Sequence, residues 1–208
     1  NHSDDQGRYA YARQPSVAFW NLHALAQALL PLVDCPKESA SEQLLAALEP
    51  YKAEFAAAMV SGLRAKLGLL AEHEDDAALA DDLLKLMAED RADFTITWRR
   101  MSSLPAARDC FMQREKFDAW AERYRARLAL ESSDDAQRTT RMHRASPKFV
   151  LRNHLAQTAI ERAQQGDFSE TQRLLKVLER PYDEQPEHQA DAGFPPTWAT
   201  QLEVSCSS

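Results

Sequence analysis

Three kinds of residue in this 208-residue chain carry chemical potential: six histidines, three cysteines and a set of closely spaced charges. The histidines, His2, His23, His73, His143, His154 and His188, are scattered, without the HExxH or Cys/His spacing that places ligands on one helical face. No metal site is expected from this chain alone. Cys206 stands between Ser205 and Ser207 in a polar tail, where a thiol has no packing reason to sit, whereas Cys35 and Cys110 lie among apolar residues. An accessible thiol can form a regulatory disulfide or stay inert, depending on its neighbours. The acid pairs Asp75-Asp76 and Asp81-Asp82 read as a solvated helix face rather than a catalytic dyad. Arg138, Arg141, Arg144, Lys148 and Arg152 recur at three- or four-residue intervals, a stripe interrupted by Pro147. Such a stripe can bind phosphate or an acidic neighbour. It can equally be a solvated face or supply internal ion pairs.

Several chemistries lack their signatures. The five glycines, Gly7, Gly62, Gly68, Gly166 and Gly193, form neither GxGxxG nor GxxxxGK[ST], so a nucleotide-cradling loop is missing. There is no GxSxG elbow and no His-Arg-Asp loop. The cysteines are odd in number and lack paired spacing, which favours a reducing compartment, and a cytoplasmic location is expected. No apolar run reaches the length of a membrane span, and no membrane partner is expected. Formal charge is −7, unevenly placed: five Lys/Arg face thirteen Asp/Glu over residues 34–90, and fourteen face eight over 91–152. The middle third suits an acidic partner, but the overall acidity and the lack of interleaved aromatics speak against nucleic acid.

The elements that must position these residues are helical. Ala and Leu dominate the apolar set while Val and Ile are sparse, so the expected class is all-α. Residues 1–15 read as an ordered loop. Val17, Trp20, Leu22, Leu25, Leu29 and Leu32 predict a largely buried helix over 16–33. Ser39-Ala40-Ser41-Glu42 has capping-box form and predicts a helix start, and Pro50 must kink or split the helical pattern beyond it. The acidic run 72–76 leads into an amphipathic segment, and residues 111–130 form a long helix with Phe117, Trp120, Tyr124 and Leu128 on one face. Residues 134–144 read as an exposed helix. Ser146-Pro147 predicts a new helix running to Gly166, and Ser169-Glu170-Thr171-Gln172 caps a last one that Pro181 ends. The proline-rich residues 181–208 read as an extended or loose tail.

Read in order, the landmarks resemble one family. Asn1-His2-Ser3-Asp4, Gly7-Arg8-Tyr9-Ala10-Tyr11, Gln14-Pro15 and Trp20-Asn21-Leu22 are similar to the stretch just after the metal-binding Asp of selenoprotein O, the YdiU-type protein adenylyltransferases. Asp93-Phe94-Thr95 with Arg99-Arg100, Pro147-Lys148 with Leu151-Arg152-Asn153, Arg180-Pro181-Tyr182-Asp183-Glu184-Gln185-Pro186 and Ser205-Cys206-Ser207-Ser208 come next, in the family's order. Two departures are Ser146, where Asn more often precedes the Pro-Lys pair, and Ile96-Thr97-Trp98 in place of an apolar aromatic run.

The resemblance implies a protein-kinase-like fold that uses ATP with Mg2+ or Mn2+ to transfer AMP to Ser, Thr or Tyr hydroxyls of protein substrates. It places every catalytic, nucleotide-binding and metal-binding residue before Asn1. The chain is then the helical remainder of a kinase-like C-lobe plus a helical C-terminal extension, inactive without its missing N-terminal lobe. Starting at Asn1 instead of Met agrees with that expectation. The implied organisation is 1–33 as the end of an activation-segment-like loop and a C-lobe helix, 34–180 as helical C-lobe and extension, and 181–208 as an extended tail. Cys206 matches a position that is selenocysteine in animal members and can pair with a cysteine expected immediately before Asn1. A separate reading keeps the chain as a non-catalytic helical binding or regulatory module, with the basic stripe or the Trp20 face as its contact surface.

Overall fold

Helices account for all the regular structure among the described residues, and no strand occurs among them. The computed structural model describes residues 4–8 and 10–202. Its elements are α1 (Gln14–Leu29), α2 (Lys37–Leu48), α3 (Tyr51–Lys66), α4 (Asp76–Glu89), α5 (Phe94–Arg100), α6 (Leu104–Arg108), α7 (Arg114–Ala129), α8 (Asp135–Ala145), α9 (Asn153–Gln164) and α10 (Ser169–Leu178). Short 3-10 turns lie at Tyr11–Arg13, Leu30–Leu32, Pro186–Ala192 and Thr197–Gln201. The all-α expectation holds. Two compact units divide within α3, one over residues up to Met59 and one over Val60–Leu202.

In the first unit α1 packs on α2. Tyr51 fastens the start of α3 to the start of α1, its hydroxyl donating to the Pro15 carbonyl at 2.9 Å and its ring stacking on Phe19 at 5.1 Å. Pro50 separates α2 from α3, as a proline without an amide hydrogen must. The expected burial of the Trp20 helix does not occur: Ala26 is its one buried residue among those described, and Trp20 and Leu25 remain 58% and 54% exposed. Residues 11–13, expected as loop, wind into a 3-10 turn leading directly into α1. Helix α2 starts at Lys37, with Pro36 as its extended cap residue. Ser39 therefore lies inside the helix, and Ser41 donates back to the Lys37 carbonyl rather than joining a capping box.

The second unit has a continuous core. Leu63 of α3 and Leu67 just after it, Leu79, Leu83 and Met87 of α4, Trp98 of α5, Phe117, Trp120 and Tyr124 of α7 and Met142 of α8 belong to one buried cluster. The 3.6-residue period places the α7 aromatics on one face, where Phe117 lies tilted against Trp120 and Trp120 stacks on Tyr124. Their polar ends are satisfied by backbone: Trp120 Nε1 donates to the Leu79 carbonyl at 2.8 Å and Tyr124 Oη to that of Leu67 at 2.6 Å. Burial pushes the Tyr124 phenol up to about 12.

One expected helix start moves, and another keeps its place with a different cap. Residues 146–152 are irregular, and helix resumes at Asn153, because the amides of Lys148 and Phe149 both donate to the Pro181 carbonyl. The last helix begins at Ser169, whose amide is taken by Asp167 Oδ1 at 2.9 Å, so Asp167 rather than Ser169 supplies the cap. Residues 181–202 are not simply extended: Gln185 and Asp191 are buried there, and two 3-10 turns form.

Candidate functional site

The motif residues between Asp93 and Pro186 all lie in the second unit, and several of them meet there. Asp93 caps α5, its Oδ1 accepting from the Ile96 amide at 2.9 Å, and binds Arg152 through both carboxylate oxygens at 2.7 and 3.1 Å. Burial raises the Asp93 carboxyl, but the guanidinium and the amide outweigh it and hold the group below the usual range. Six residues further on in α5, Arg99 is largely buried. Its Nη1 donates to the carbonyls of His143 and Ser146 at 3.0 and 2.9 Å, and its Nη2 to the Tyr182 carbonyl at 3.2 Å and Glu184 Oε1 at 2.6 Å.

Lys148 closes the junction by donating to the other Glu184 oxygen. Hydrogen bonds from Lys148 and Arg99 pull the Glu184 carboxyl down to about 2. Gln185, buried beside it, donates to the carbonyls of Val177 and Arg180 and so ties off the end of α10. His143 Nε2 lies 3.0 Å from Ser102 Oγ, and burial, with Arg99 nearby, lowers its pKa. A second ion cluster anchors the next stretch: Arg173 binds Glu170 on its own helix and Asp191 in the 3-10 turn. The chain from Pro181 to Ala192 is thereby held at two points.

The chemistry of this junction is fastening. Its carboxylates are each matched by a guanidinium or ammonium, and its cations are spent on carbonyls and carboxylates. The buried Thr97 Oγ1, Trp98 Nε1 and Ser146 Oγ have no hydrogen-bond partner, a local cost that the surrounding packing and ion pairs offset.

The basic stripe is broken at residues 146–152, and its members mostly serve inside the molecule: Arg138 pairs with Asp135, Arg141 donates to the Gly68 carbonyl, Lys148 binds Glu184 and Arg152 binds Asp93. Asp81 and Asp82 are solvated around Lys85 as expected. Asp76 is not: it is buried against Arg127, with Nε to Oδ1 at 2.6 Å, and Arg127 also binds Glu131 at 2.9 Å. Cys35 and Cys110 are free and half-buried. Cys206 lies outside the described residues. Among the described residues no three His, Cys, Asp or Glu side chains assemble into a metal-holding group, and no helix is long and apolar enough to cross a membrane.

The partnership of Arg99 with Glu184 is the feature that local reading misses. Both residues stand in recognisable motifs, but 85 positions separate them and no periodicity links them.

The family model described as protein adenylyltransferase SelO matches residues 1–179. Curated relatives named protein nucleotidyltransferase YdiU, from Burkholderia thailandensis, Burkholderia multivorans and Burkholderia pseudomallei, are each 52% identical over 225 aligned positions. The alignments cover 100% of this chain and 43% of each relative, so the chain spans less than half the length of the proteins it matches. With a family match across most of its length and identity of this order, the chain belongs to the SelO family of protein adenylyltransferases.

Proposed function

We propose that the chain is the C-terminal helical part of a cytoplasmic enzyme that transfers AMP from ATP to Ser, Thr or Tyr hydroxyls of proteins. The observation that carries this reading is full-length similarity to nucleotidyltransferases of which the chain represents 43%. In the reaction the acceptor oxygen bonds to the α-phosphorus, the bond to the bridging oxygen breaks, pyrophosphate leaves and the hydroxyl proton passes to a base. The described residues do not fit the expected Mg2+ or Mn2+, since they offer no converging carboxylate or imidazole set. On this reading, as the family resemblance implies, nucleotide, metal and catalytic base belong to a kinase-like lobe that precedes Asn1, and this chain's part is to complete the C-lobe and hold its C-terminal segment. Cys206 lies beyond that anchored segment and is proposed as one half of a redox latch whose partner cysteine precedes Asn1.

The test is transfer from ATP labelled at the α- or the γ-phosphate, using the full-length protein and a protein acceptor with Mg2+ or Mn2+. Label from the α-position alone is expected on the acceptor, and none from the 208-residue chain by itself. Transfer of γ-label, or labelling by the isolated chain, overturns the assignment. Cys206→Ser in the full-length protein is expected to abolish the response of activity to reductant, and an unchanged response rejects the latch. A second reading, a helical binding module without catalysis, draws on the exposed apolar side of α1; a full-length protein that binds acceptors but transfers no label would favour it.

A further inference from the structure

From Gln14 to Val33 the chain contains no Asp, Glu, Lys or Arg. Helix α1 occupies most of that stretch and is apolar on more than one side. Phe19, Leu22, Ala26 and Leu30, at helical spacing, form its buried or half-buried side. Ala18, Leu25, Ala28 and Leu29 share an adjoining side and are all exposed, with Leu25 at 54% and Leu32, just beyond the helix, at 79%. An uncharged helix that is apolar around most of its circumference has the composition of a buried element, not of a surface one.

We infer that the Ala18–Leu25–Leu29 side of α1 is an interface for the part of the full-length protein that lies outside this chain. The inference rests on the proposed reading of the chain as one portion of a larger enzyme, and it names what that portion docks through. Relatives that match the entire chain are more than twice its length, so a covering polypeptide of ample size exists in each of them. A lipid surface fits poorly, because interfacial helices carry Lys or Arg along their polar side and α1 carries neither. The charged rim that a reversible protein contact normally keeps is missing from α1, whose exposed polar residues on this side, Gln14 and Asn21, carry no charge.

The experiment uses the full-length protein with p-benzoylphenylalanine replacing Leu25, irradiated as a monomer at low concentration and mapped by mass spectrometry. Cross-links from position 25 to residues outside the 208-residue stretch, within one polypeptide, are expected. Carbene footprinting of the unsubstituted protein gives an independent reading that needs no variant: Leu25 and Leu29 should be modified about tenfold less than the exposed Met112. Cross-links between two copies, cross-links confined to this stretch, or footprinting equal to that of Met112 overturn the inference. The AMP-transfer assay on the same preparation separates the two claims. An active enzyme with Leu25 exposed refutes the interface alone, and a protected Leu25 in a protein without transfer refutes the activity alone.

Discussion

Glu184 receives Arg99 on one carboxylate oxygen and Lys148 on the other, and so locks a segment after α10 to α5 across 85 residues of chain. The two ends of this contact differ in burial, the Arg99 side chain being 12% exposed and that of Glu184 59%. They should therefore differ in what their loss costs. Arg99→Met deprives three carbonyls of a donor and is expected to destabilise by about 2–3 kcal/mol. Glu184→Gln keeps an acceptor in a largely solvated position and should cost about 0.5–1 kcal/mol. Urea unfolding of the two variants checks this, and equal losses would show that the carboxylate rather than the carbonyl cage dominates.

The same junction sets an acid sensitivity with two separate windows. His143 is held neutral by burial and by the nearby Arg99 and Lys148, with Glu184 opposing them. Its folded pKa lies below the ordinary 6.5, so the unfolded chain binds the proton more tightly. The contribution is fully present above that ordinary value and is lost as pH falls through it. Glu184, drawn down to about 2, contributes stability above its ordinary 4.5 that disappears as pH falls toward 2. Thermal unfolding between pH 8 and 3 should show Tm falling in both windows. His143→Gln is expected to flatten the upper window and leave the lower one.

How far this architecture could be read locally depends on where each group finds its partner. The α7 aromatics were legible because helical period alone puts Phe117, Trp120 and Tyr124 on one side. Ser146-Pro147 reads as a helix start and is not one, because the amides that would enter a first helical turn are claimed by Pro181, more than thirty residues away. Ser169 heads a capping box in sequence, but it is already the first helical residue and its own amide is taken by Asp167. Asp76 looks like half of a solvated acid pair until Arg127, 51 residues on, is brought against it. The motif residues announced the family, while their mutual contacts, which turn them into one junction, arise from tertiary structure.

The Asp76–Arg127 pair supplies a third expectation. Both side chains are almost fully buried, and Arg127 additionally donates to the Ala71 carbonyl and binds Glu131. Glu131 in turn accepts from the amides of Leu70 and Ala71. Removing one partner strands a buried charge, so Arg127→Ala should cost about 3–5 kcal/mol. Combining Arg127→Met with Asp76→Asn removes both charges and should cost less than the sum of the single changes by at least about 1 kcal/mol. Strict additivity in a double-mutant cycle would mean that the pair is not coupled as its geometry requires.

Two glycines with left-handed backbone separate conformational strain from steric exclusion. Gly68 ends α3 with φ of +71°, and Gly166 comes after α9 with φ of +83°. At both, a side chain meets the intrinsic penalty of the left-handed region, about 1 kcal/mol. At Gly166 an added Cβ would find nothing within 4 Å, whereas at Gly68 it would stand 2.6 Å from Arg138 Cγ and 2.7 Å from Met142 Cγ. Met142 is a buried core residue of α8, so this contact cannot be relieved by swinging a chain end into solvent. Gly166→Ala should therefore lower stability by about 1 kcal/mol and Gly68→Ala by about 2–4 kcal/mol. Pairing Gly68→Ala with Met142→Ala distinguishes the two contributions: the double variant should lose less than the sum of the single losses, because the cavity left by the methionine removes the closest buried obstacle while the strained φ remains.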